Sequence, residues 1–321
     1  MNGGGYPRLV SVVMPTYNRA WSLRKSVGSV LAQSYRPIEC IVVDDGSTDE
    51  TPEVMDELAA DAPEGIELRY LRQPNGGANS ARNRGLIESQ GEFICFLDSD
   101  DHLVPDSIQI RADVLLAEKD VDLCYGLCSV QDEKGNELRT MNSPWPGPGN
   151  ARIAAYLFDT NSPLIRRCIC ALAGLWREDD THSQEYEYFS RIKFFSREGV
   201  FVDKVLSIYV RHGGGNIFDL ADREFLFSIF RVVLLIKGLV LFSPRDCREE
   251  RVELAGELQK VAKEFYDAGD VSTALAAMRE SLLLSWRLRR FLQAAALVVV
   301  GFLGAWRRIR LPMLRGSHGK S

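Results

Sequence analysis

Three acidic residues follow one short apolar run. The run 93–97 leads directly into Asp98, Asp100 and Asp101, with Ser99 between the first two. Because the run has the length and composition of a buried strand, the carboxylates would crowd at its end and repel each other. A divalent cation relieves this repulsion, and oxygen ligands suit Mg²⁺ or Mn²⁺, which can neutralise a diphosphate leaving group. The alternative is a solvated acidic turn that caps the next helix.

Adjacent carboxylates also end an earlier apolar run. Asp44 and Asp45 follow residues 39–43, although strand interiors disfavour Asp and neighbouring like charges repel. Asp45 is placed to accept hydrogen bonds from a base or a ribose. Asp49, a few positions later, can cap the helix that follows. Capping explains Asp49 alone, so the pair indicates a second binding element.

A polar and aromatic segment ends the first apolar run, 9–14, and reads Pro15-Thr16-Tyr17-Asn18. Asn18 can be the N-cap of the next helix. At this edge of a sheet, backbone groups and the ring of Tyr17 could contact a base or a ribose. Taken alone, the segment is equally compatible with an ordinary strand-to-helix turn.

Apolar runs rich in β-branched residues alternate with helical stretches near the start of the chain. The runs cover 9–14, 39–43, 67–72, 93–97 and 122–127, and the helical stretches cover 20–33, 51–61, 78–90 and 105–117. This alternation predicts βαβ units and therefore an α/β fold with a doubly wound, mostly parallel sheet. Ligands of such sheets bind at the carboxyl ends of the strands, where the acidic segments lie.

The pattern changes twice after these strands. A Pro- and Gly-rich segment, 140–150, is expected to join the nucleotide-binding half, about 9–130, to an acceptor half. The acceptor half, about 150–215, would contain two helices and the strand 200–210, which gives one domain over 1–217. Long helical patterns follow at 223–242, 249–268, 271–288 and 291–309. We predict a helical extension at 218–286 and a basic amphipathic segment at 287–321.

Charge is distributed unevenly along the chain. From Arg287 onward there are eight Lys or Arg and no acid, which leaves 31 bases against 44 acids in the rest. An acidic body lacks the clustered cations that bind phosphate backbones, so nucleic acid is not expected as a partner. The tail contains a 16-residue uncharged stretch, 291–306, with Arg on both sides. It favours a peripheral helix on an anionic membrane over a spanning helix or one packed on protein.

Cysteine usage indicates a reducing compartment. The seven cysteines are an odd number in a chain of this size and do not match a disulfide framework. Cys124, Cys128, Cys168 and Cys170 lack a second ligand pair nearby and are interpreted as structural thiols. The Gly-rich segment 1–9 lacks the apolar core of a secretory signal. We expect a cytoplasmic protein, peripheral on the inner face of the cell membrane.

Four ordered segments resemble the motifs of family 2 glycosyltransferases, which have the GT-A fold. They are Pro15-Thr16-Tyr17-Asn18, Asp44-Asp45-Gly46-Ser47-Thr48-Asp49, Asn75-Gly76-Gly77-Ala78-Asn79-Ser80-Ala81-Arg82-Asn83 and Leu97-Asp98-Ser99-Asp100-Asp101. The resemblance implies that a nucleotide-sugar donor is bound by Pro15, Thr16, Tyr17, Asp45, Gly76, Arg82, Asp98 and Ser99. It also implies that Tyr17 stacks near the nucleobase, that Asp45 hydrogen-bonds it, and that Asp100 holds Mn²⁺ or Mg²⁺.

The resemblance extends to a general base and a second metal ligand. In similar enzymes a Glu-Asp pair opens a helix, and here Gln184 and Glu185 occupy those positions. Glu185 is therefore implied as the base, with Glu187 as the fallback, and a charged helix N-terminus is the alternative interpretation. The segment 207–216 is similar to the family's Tyr-Arg-x-His stretch, so His212 could approach the metal or the diphosphate. The alternative is a surface His beside a glycine turn.

These implications combine into one predicted reaction. An inverting transferase would move a sugar from a nucleotide diphosphate, UDP first, to a hydroxyl of a saccharide or a lipid-linked saccharide, as in cell-surface polysaccharide synthesis. One alternative is a non-catalytic nucleotide-sugar binding module, suggested by Gln184 and Glu185. Another is a nucleotidyltransferase, which usually has a Gly-rich phosphate loop with a basic residue after the first strand. Met14-Pro15-Thr16-Tyr17 does not provide such a loop.

Overall fold

The first apolar runs form the strands of a parallel sheet. The computed structural model describes residues 8–142, 159–179, 183–212, 223–244 and 246–284. In chain order its first elements are β1 (Val10–Thr16), α1 (Ala20–Leu31), β2 (Ile38–Asp44), α2 (Thr51–Ala60), β3 (Ile66–Arg72), α3 (Ala78–Glu88) and β4 (Phe93–Phe96). The strands run parallel in the order β3-β2-β1-β4. β1, β2 and β4 are buried along their whole length, as continuous apolar runs require.

The rest of the sheet contains strands of both directions. Its elements are β5 (His102–Leu103), α4 (Ser107–Ala117), β6 (Leu123–Asp132), β7 (Glu137–Met141), β8 (Leu164–Arg166), α5 (Arg167–Ala173), α6 (Gln184–Phe195) and β9 (Gly199–Arg211). From β4 the order continues through β8, β6 and β9 to β5, and β7 pairs with β6. β8 is antiparallel to β4 and β6, whereas β9 is parallel to β6. The predicted α/β fold with a mostly parallel sheet is confirmed.

One glycine allows α3 to lie close against the sheet. A Cβ atom on Gly85 would lie 2.4 Å from Cγ1 of Val13 on β1 and 3.3 Å from Cγ2 of Val43 on β2. A larger residue would therefore push α3 away from these strands. The close approach matters for the site because α3 carries Arg82, whose guanidinium reaches the end of β4.

The described residues from 223 onward form a second unit. Its helices are α7 (Arg223–Phe242), α8 (Arg248–Asp267) and α9 (Val271–Leu284). α8 and α9 form a hairpin through Gly269, whose φ of 82° suits glycine. None of the helices in the described ranges has both the length and the hydropathy needed to cross a bilayer. The predicted basic segment 287–321 and the glycines after His212 lie outside the described residues.

Candidate active site

The three carboxylates after β4 occupy different environments. Asp101 is 1% exposed and accepts hydrogen bonds from the backbone N–H of Val210 (2.8 Å) and from Nδ2 of Asn161 (2.7 Å). Burial raises the pKa of Asp101 well above its usual range, and the charges of Asp98 and Asp100 raise it further. The side chains of Asp98 and Asp100 remain 26% and 24% exposed. Asp98 and Asp100 are therefore open to a ligand, whereas Asp101 is part of the structural support.

Asn161 holds the acidic turn, residues 98–101, in place. Its Oδ1 accepts a hydrogen bond from the backbone N–H of Asp98 (2.8 Å), and its Nδ2 donates to the carboxylates of Asp101 (2.7 Å) and Asp159 (3.1 Å). The side chain is buried, and so is that of Asp159. Asn161 thus connects the first acid of the turn to the last. The sequence offers no motif at this position, which is 63 residues from Asp98.

Asn161→Ala is expected to lower the free energy of unfolding by about 2–4 kcal/mol, because buried polar groups of Asp98 and Asp101 lose their partner. The variant should also bind UDP more weakly, since the acidic turn loses its support. Chemical denaturation and UDP titration measure the two effects. The matched control is Asn136→Ala, because the side chain of Asn136 bonds an exposed carboxylate, that of Asp132. If both variants behaved alike, Asn161 would not have this role.

Arg82 connects the acidic turn to the candidate base. It is 4% exposed, and its Nη2 donates to Oδ1 of Asp98 (2.8 Å) and lies 3.8 Å from Oε1 of Glu185. Its Nη1 donates to Oδ1 of Asn79 (3.0 Å) and Oε1 of Gln184 (2.9 Å). Burial lowers the pKa of Arg82, but the neighbouring carboxylates outweigh this effect and the pKa is raised. One fixed guanidinium therefore brings together residues from the turn after β4 and from α6.

An aromatic cluster supports the guanidinium of Arg82. Trp176 stacks on Tyr188 with ring centroids 4.0 Å apart and an interplanar angle of 9°. The same indole meets Phe96 and Phe189 edge-on, at 5.1 Å and 5.6 Å. Cζ of Arg82 lies 4.7 Å from the centroid of the Trp176 ring, which is a cation–π contact. The cluster therefore connects the hydrophobic core to Arg82 in the candidate site.

Trp176→Ala is expected to lower the free energy of unfolding by about 3–5 kcal/mol, because it removes a large buried ring and leaves a cavity. Trp21→Ala is the matched control and should change stability by only about 0.5 kcal/mol. The two indoles are 2% and 60% exposed. Urea denaturation of both variants measures the difference. A small loss for Trp176→Ala would show that the cluster is not a packing centre.

The two candidate bases differ in exposure. The side chain of Glu185 is 27% exposed and lies in the first turn of α6. Glu187 is 1% exposed, and its two oxygens accept hydrogen bonds from Nε (2.7 Å) and Nη2 (2.6 Å) of Arg191. A buried, bidentate pair of this kind occupies the carboxylate, and breaking it is strongly destabilising. The Glu187 carboxylate is therefore held by Arg191, and the choice of Glu185 over Glu187 as the base stays a prediction.

Asp45 is bound to the glycine-containing loop before α3. It is 3% exposed, and its Oδ1 accepts hydrogen bonds from Nε2 of Gln73 (2.8 Å) and from the backbone N–H of Gly76 (2.9 Å). Its Oδ2 accepts one from the backbone N–H of Gly77 (2.7 Å). Asp45 and Gly76, both predicted donor contacts, are thus held together. Recognition of a nucleobase by Asp45 stays a prediction.

The end of β1 presents one exposed aromatic ring. Pro15 and Thr16 are buried, whereas Tyr17 is 48% exposed and offers a face on which a base could stack. Oγ1 of Thr16 has no hydrogen-bond partner in the described part of the chain. Ser99 is buried, and its backbone carbonyl accepts a hydrogen bond from Oγ of Ser22 (2.7 Å). The first turn of α1, which follows β1, therefore contacts the acidic turn.

The predicted N-cap role of Asn18 is wrong. The backbone N–H of Ala20, the first residue of α1, donates to Oδ2 of Asp49 (3.0 Å). Oδ1 of Asn18 instead accepts a hydrogen bond from the backbone N–H of Thr48 (2.8 Å). Oδ1 of Asp49 accepts a hydrogen bond from the backbone N–H of Thr51 (3.2 Å), the first residue of α2, but the N-cap position of that helix is Glu50. These hydrogen bonds connect the loop after β1 to the loop after β2.

Asp100 and His212, the predicted metal ligands, lie side by side. Nε2 of His212 is 3.8 Å from Oδ2 of Asp100 and has no hydrogen-bond partner among the described residues. Nδ1 of the same ring lies 3.4 Å from Oε1 of Glu133, an arrangement that orients metal-binding imidazoles. Across the described ranges, no three His, Cys, Asp or Glu side chains form a complete metal site. Two protein ligands fit an ion that takes its other ligands from a diphosphate.

The comparison with known sequences identifies the family. The model of glycosyl transferase family 2 matches residues 11–180, so the chain belongs to that family, as its motifs predict. An uncharacterized glycosyltransferase of Rickettsia conorii is 35% identical over 202 residues, which are 58% of this chain and 32% of the relative. One of Rickettsia prowazekii is 31% identical over 215 residues, 64% of each. The chain thus spans less than two thirds of the length of these relatives.

Solved structures share the fold. Staphylococcus aureus TarS in complex with UDP-GlcNAc aligns with a TM-score of 0.66 and 19% identity, over 86% of this chain and 81% of that one. The mannosyltransferase PcManGT of Pyrobaculum calidifontis, in complex with GDP-Man and Mn²⁺, aligns with a TM-score of 0.59 and 18% identity. The alignment covers 94% of this chain and 81% of that one. These similarities establish the GT-A architecture.

Proposed function

We propose that this protein is an inverting, metal-dependent glycosyltransferase that uses a nucleotide-diphosphate sugar, UDP-sugar first. The main support is the position of Arg82, which hydrogen-bonds Asp98 and lies 3.8 Å from Glu185. A donor held at Asp98 and an acceptor hydroxyl held at Glu185 would thus face each other across one fixed cation. Such proximity is the main requirement for an in-line displacement.

Each residue has one role in the proposed displacement. Glu185 takes the proton of the acceptor hydroxyl as the oxygen of that hydroxyl attacks the anomeric carbon. The bond between that carbon and the diphosphate oxygen breaks in the same step, which inverts the configuration without a covalent sugar intermediate. Asp98 contacts the ribose and the sugar, and Arg82 holds Asp98 in place. A divalent ion on Asp100 and His212 would neutralise the departing diphosphate.

The proposed acceptor is a hydroxyl of a saccharide or a lipid-linked saccharide. A chondroitin synthase of Pasteurella multocida is 37% identical over 117 residues, 36% of this chain and 12% of the relative, which supports polysaccharide or glycan synthesis. The proposed location is the cytoplasmic face of the membrane, with peripheral contact through 287–321. All seven cysteines are free and six are buried, which supports a reducing compartment.

A panel of UDP-, GDP- and dTDP-sugars tests the function. The protein is heated with each donor, with and without Mn²⁺, and the released nucleotide is measured in parallel. We expect a UDP-sugar to raise the Tm in the presence of Mn²⁺, because ligand binding stabilises the folded state, and UDP to be released. Stabilisation without release in the presence of saccharide acceptors would indicate a binding module. If no donor stabilised the protein, the assignment would be wrong.

A further inference from the structure

The carboxylate of Asp100 already has a cation beside it. Nη1 of Arg19 lies 3.3 Å from Oδ2 of Asp100, the same oxygen that faces Nε2 of His212 at 3.8 Å. Arg19 is the residue before α1, so its backbone position is fixed by the start of that helix. The proposed metal position therefore coincides with an ion pair.

The Arg19 side chain has room to leave this ion pair. It is 40% exposed, in contrast to the side chain of Arg82, which is 5% exposed and bound to Asp98. Cζ of Arg19 also lies 5.5 Å from the centroid of the Trp21 ring, and that ring meets His212 edge-on at 4.8 Å. The indole can support the arginine stem while the guanidinium changes partner.

Binding of a divalent ion and a nucleotide diphosphate would change the charge balance around Asp100. Without ligand, Asp98 and Asp100 are balanced by Arg82 and Arg19. A divalent ion on Asp100 would repel a guanidinium 3.3 Å from the same carboxylate. The diphosphate that accompanies the ion adds at least two negative charges, and planar guanidinium groups bind phosphate oxygens well.

We propose that Arg19 is an exchangeable counter-ion: it pairs with Asp100 in the free enzyme and moves to the diphosphate when a divalent ion takes Asp100. The proposal rests on the proposed function and adds a donor-binding residue outside the predicted set. Arg19 would therefore have opposite effects on the binding of the metal ion and on the binding of the nucleotide. Arg19 hinders binding of the bare ion and favours retention of the nucleotide.

The test is Arg19→Gln, with two titrations that do not depend on activity. Mn²⁺ binding to the protein alone is followed by electron paramagnetic resonance, and UDP binding at saturating Mn²⁺ by calorimetry. We expect the variant to bind bare Mn²⁺ about threefold to tenfold more tightly, because one exposed ion pair no longer competes. We expect it to bind UDP at least about tenfold more weakly, because a charge-assisted phosphate contact is lost. Arg19→Lys should bind Mn²⁺ and UDP with affinities between those of Arg19→Gln and the wild type.

The matched control is Arg24→Gln, because Arg24 lies in α1 and pairs with Glu57 instead of Asp100. It should behave as the wild type in both titrations. Weaker or unchanged Mn²⁺ binding by Arg19→Gln would overturn the proposal, and so would unchanged UDP binding. Failure of the proposed function gives a different result, because the wild type itself would then not bind UDP in the presence of Mn²⁺. That result would overturn both the proposed function and the role of Arg19.

Discussion

Asp100→Asn is expected to lower kcat by about 10²–10³-fold and to remove the dependence of UDP binding on Mn²⁺. The substitution deletes one negative charge and a strong ligand at the proposed metal position while it keeps the shape of the side chain. The departing diphosphate would then develop charge without its main electrostatic partner. Product formation from the donor identified in the nucleotide-sugar panel, with UDP calorimetry at several Mn²⁺ concentrations, measures both effects.

The same substitution should not destabilise the free protein. Burial raises the pKa of Asp100, and the neighbouring Asp98 raises it further, so the carboxylate is in an unfavourable environment before a ligand binds. Asn carries no charge, so this unfavourable interaction is absent, and the Tm without metal should be unchanged or higher. Asp106→Asn, an exposed Asp→Asn control in the loop before α4, should retain full activity. Full activity of Asp100→Asn would rule out the metal assignment.

Glu185→Gln is expected to lower kcat by about 10²–10⁴-fold and to leave UDP affinity within about threefold of the wild type. The amide keeps the size of the side chain and cannot accept the acceptor proton. Because Glu185 is 3.8 Å from Arg82 and is not within hydrogen-bond distance of it, the donor side of the site should keep its geometry. Single-turnover transfer and UDP titration separate the chemical step from binding.

Glu187→Gln provides the contrast. Its carboxylate is held by Arg191 in a buried pair, so this variant should lose stability. Its kcat per folded molecule should change far less than that of Glu185→Gln. If Glu185→Gln transferred sugar at the wild-type rate, the base would have to be another residue. Loss of UDP binding in that variant would instead make Glu185 part of the donor site.

β1, β2 and β4 can be predicted because they are largely apolar runs, and β3 because its apolar residues alternate with charged ones. The sequence also predicts the helices between these strands to within about two residues of their ends, as for α1 and α3. β5 and β8 were missed because two or three residues are too short to show a period. β7 was missed because it is almost entirely exposed and carries no apolar alternation.

The residues of the candidate site also differ in whether the sequence can predict them. Asp98, Asp100 and Glu185 lie in local motifs, and Arg82 brings Asp98 and Glu185 together. Asn161 acts through contacts with residues far away in sequence, for which local spacing contains no signal. The burial of Glu187 depends in the same way on how α6 packs, so the sequence could not separate it from Glu185.

The most direct measurement is the anomalous difference density of a crystal soaked with MnCl₂ and UDP, recorded near the manganese absorption edge. We expect one strong peak about 2.0–2.3 Å from a carboxylate oxygen of Asp100, with diphosphate oxygens on its other side. A UDP molecule bound at another edge of the sheet, or a manganese peak away from Asp100, would contradict the proposed catalytic centre.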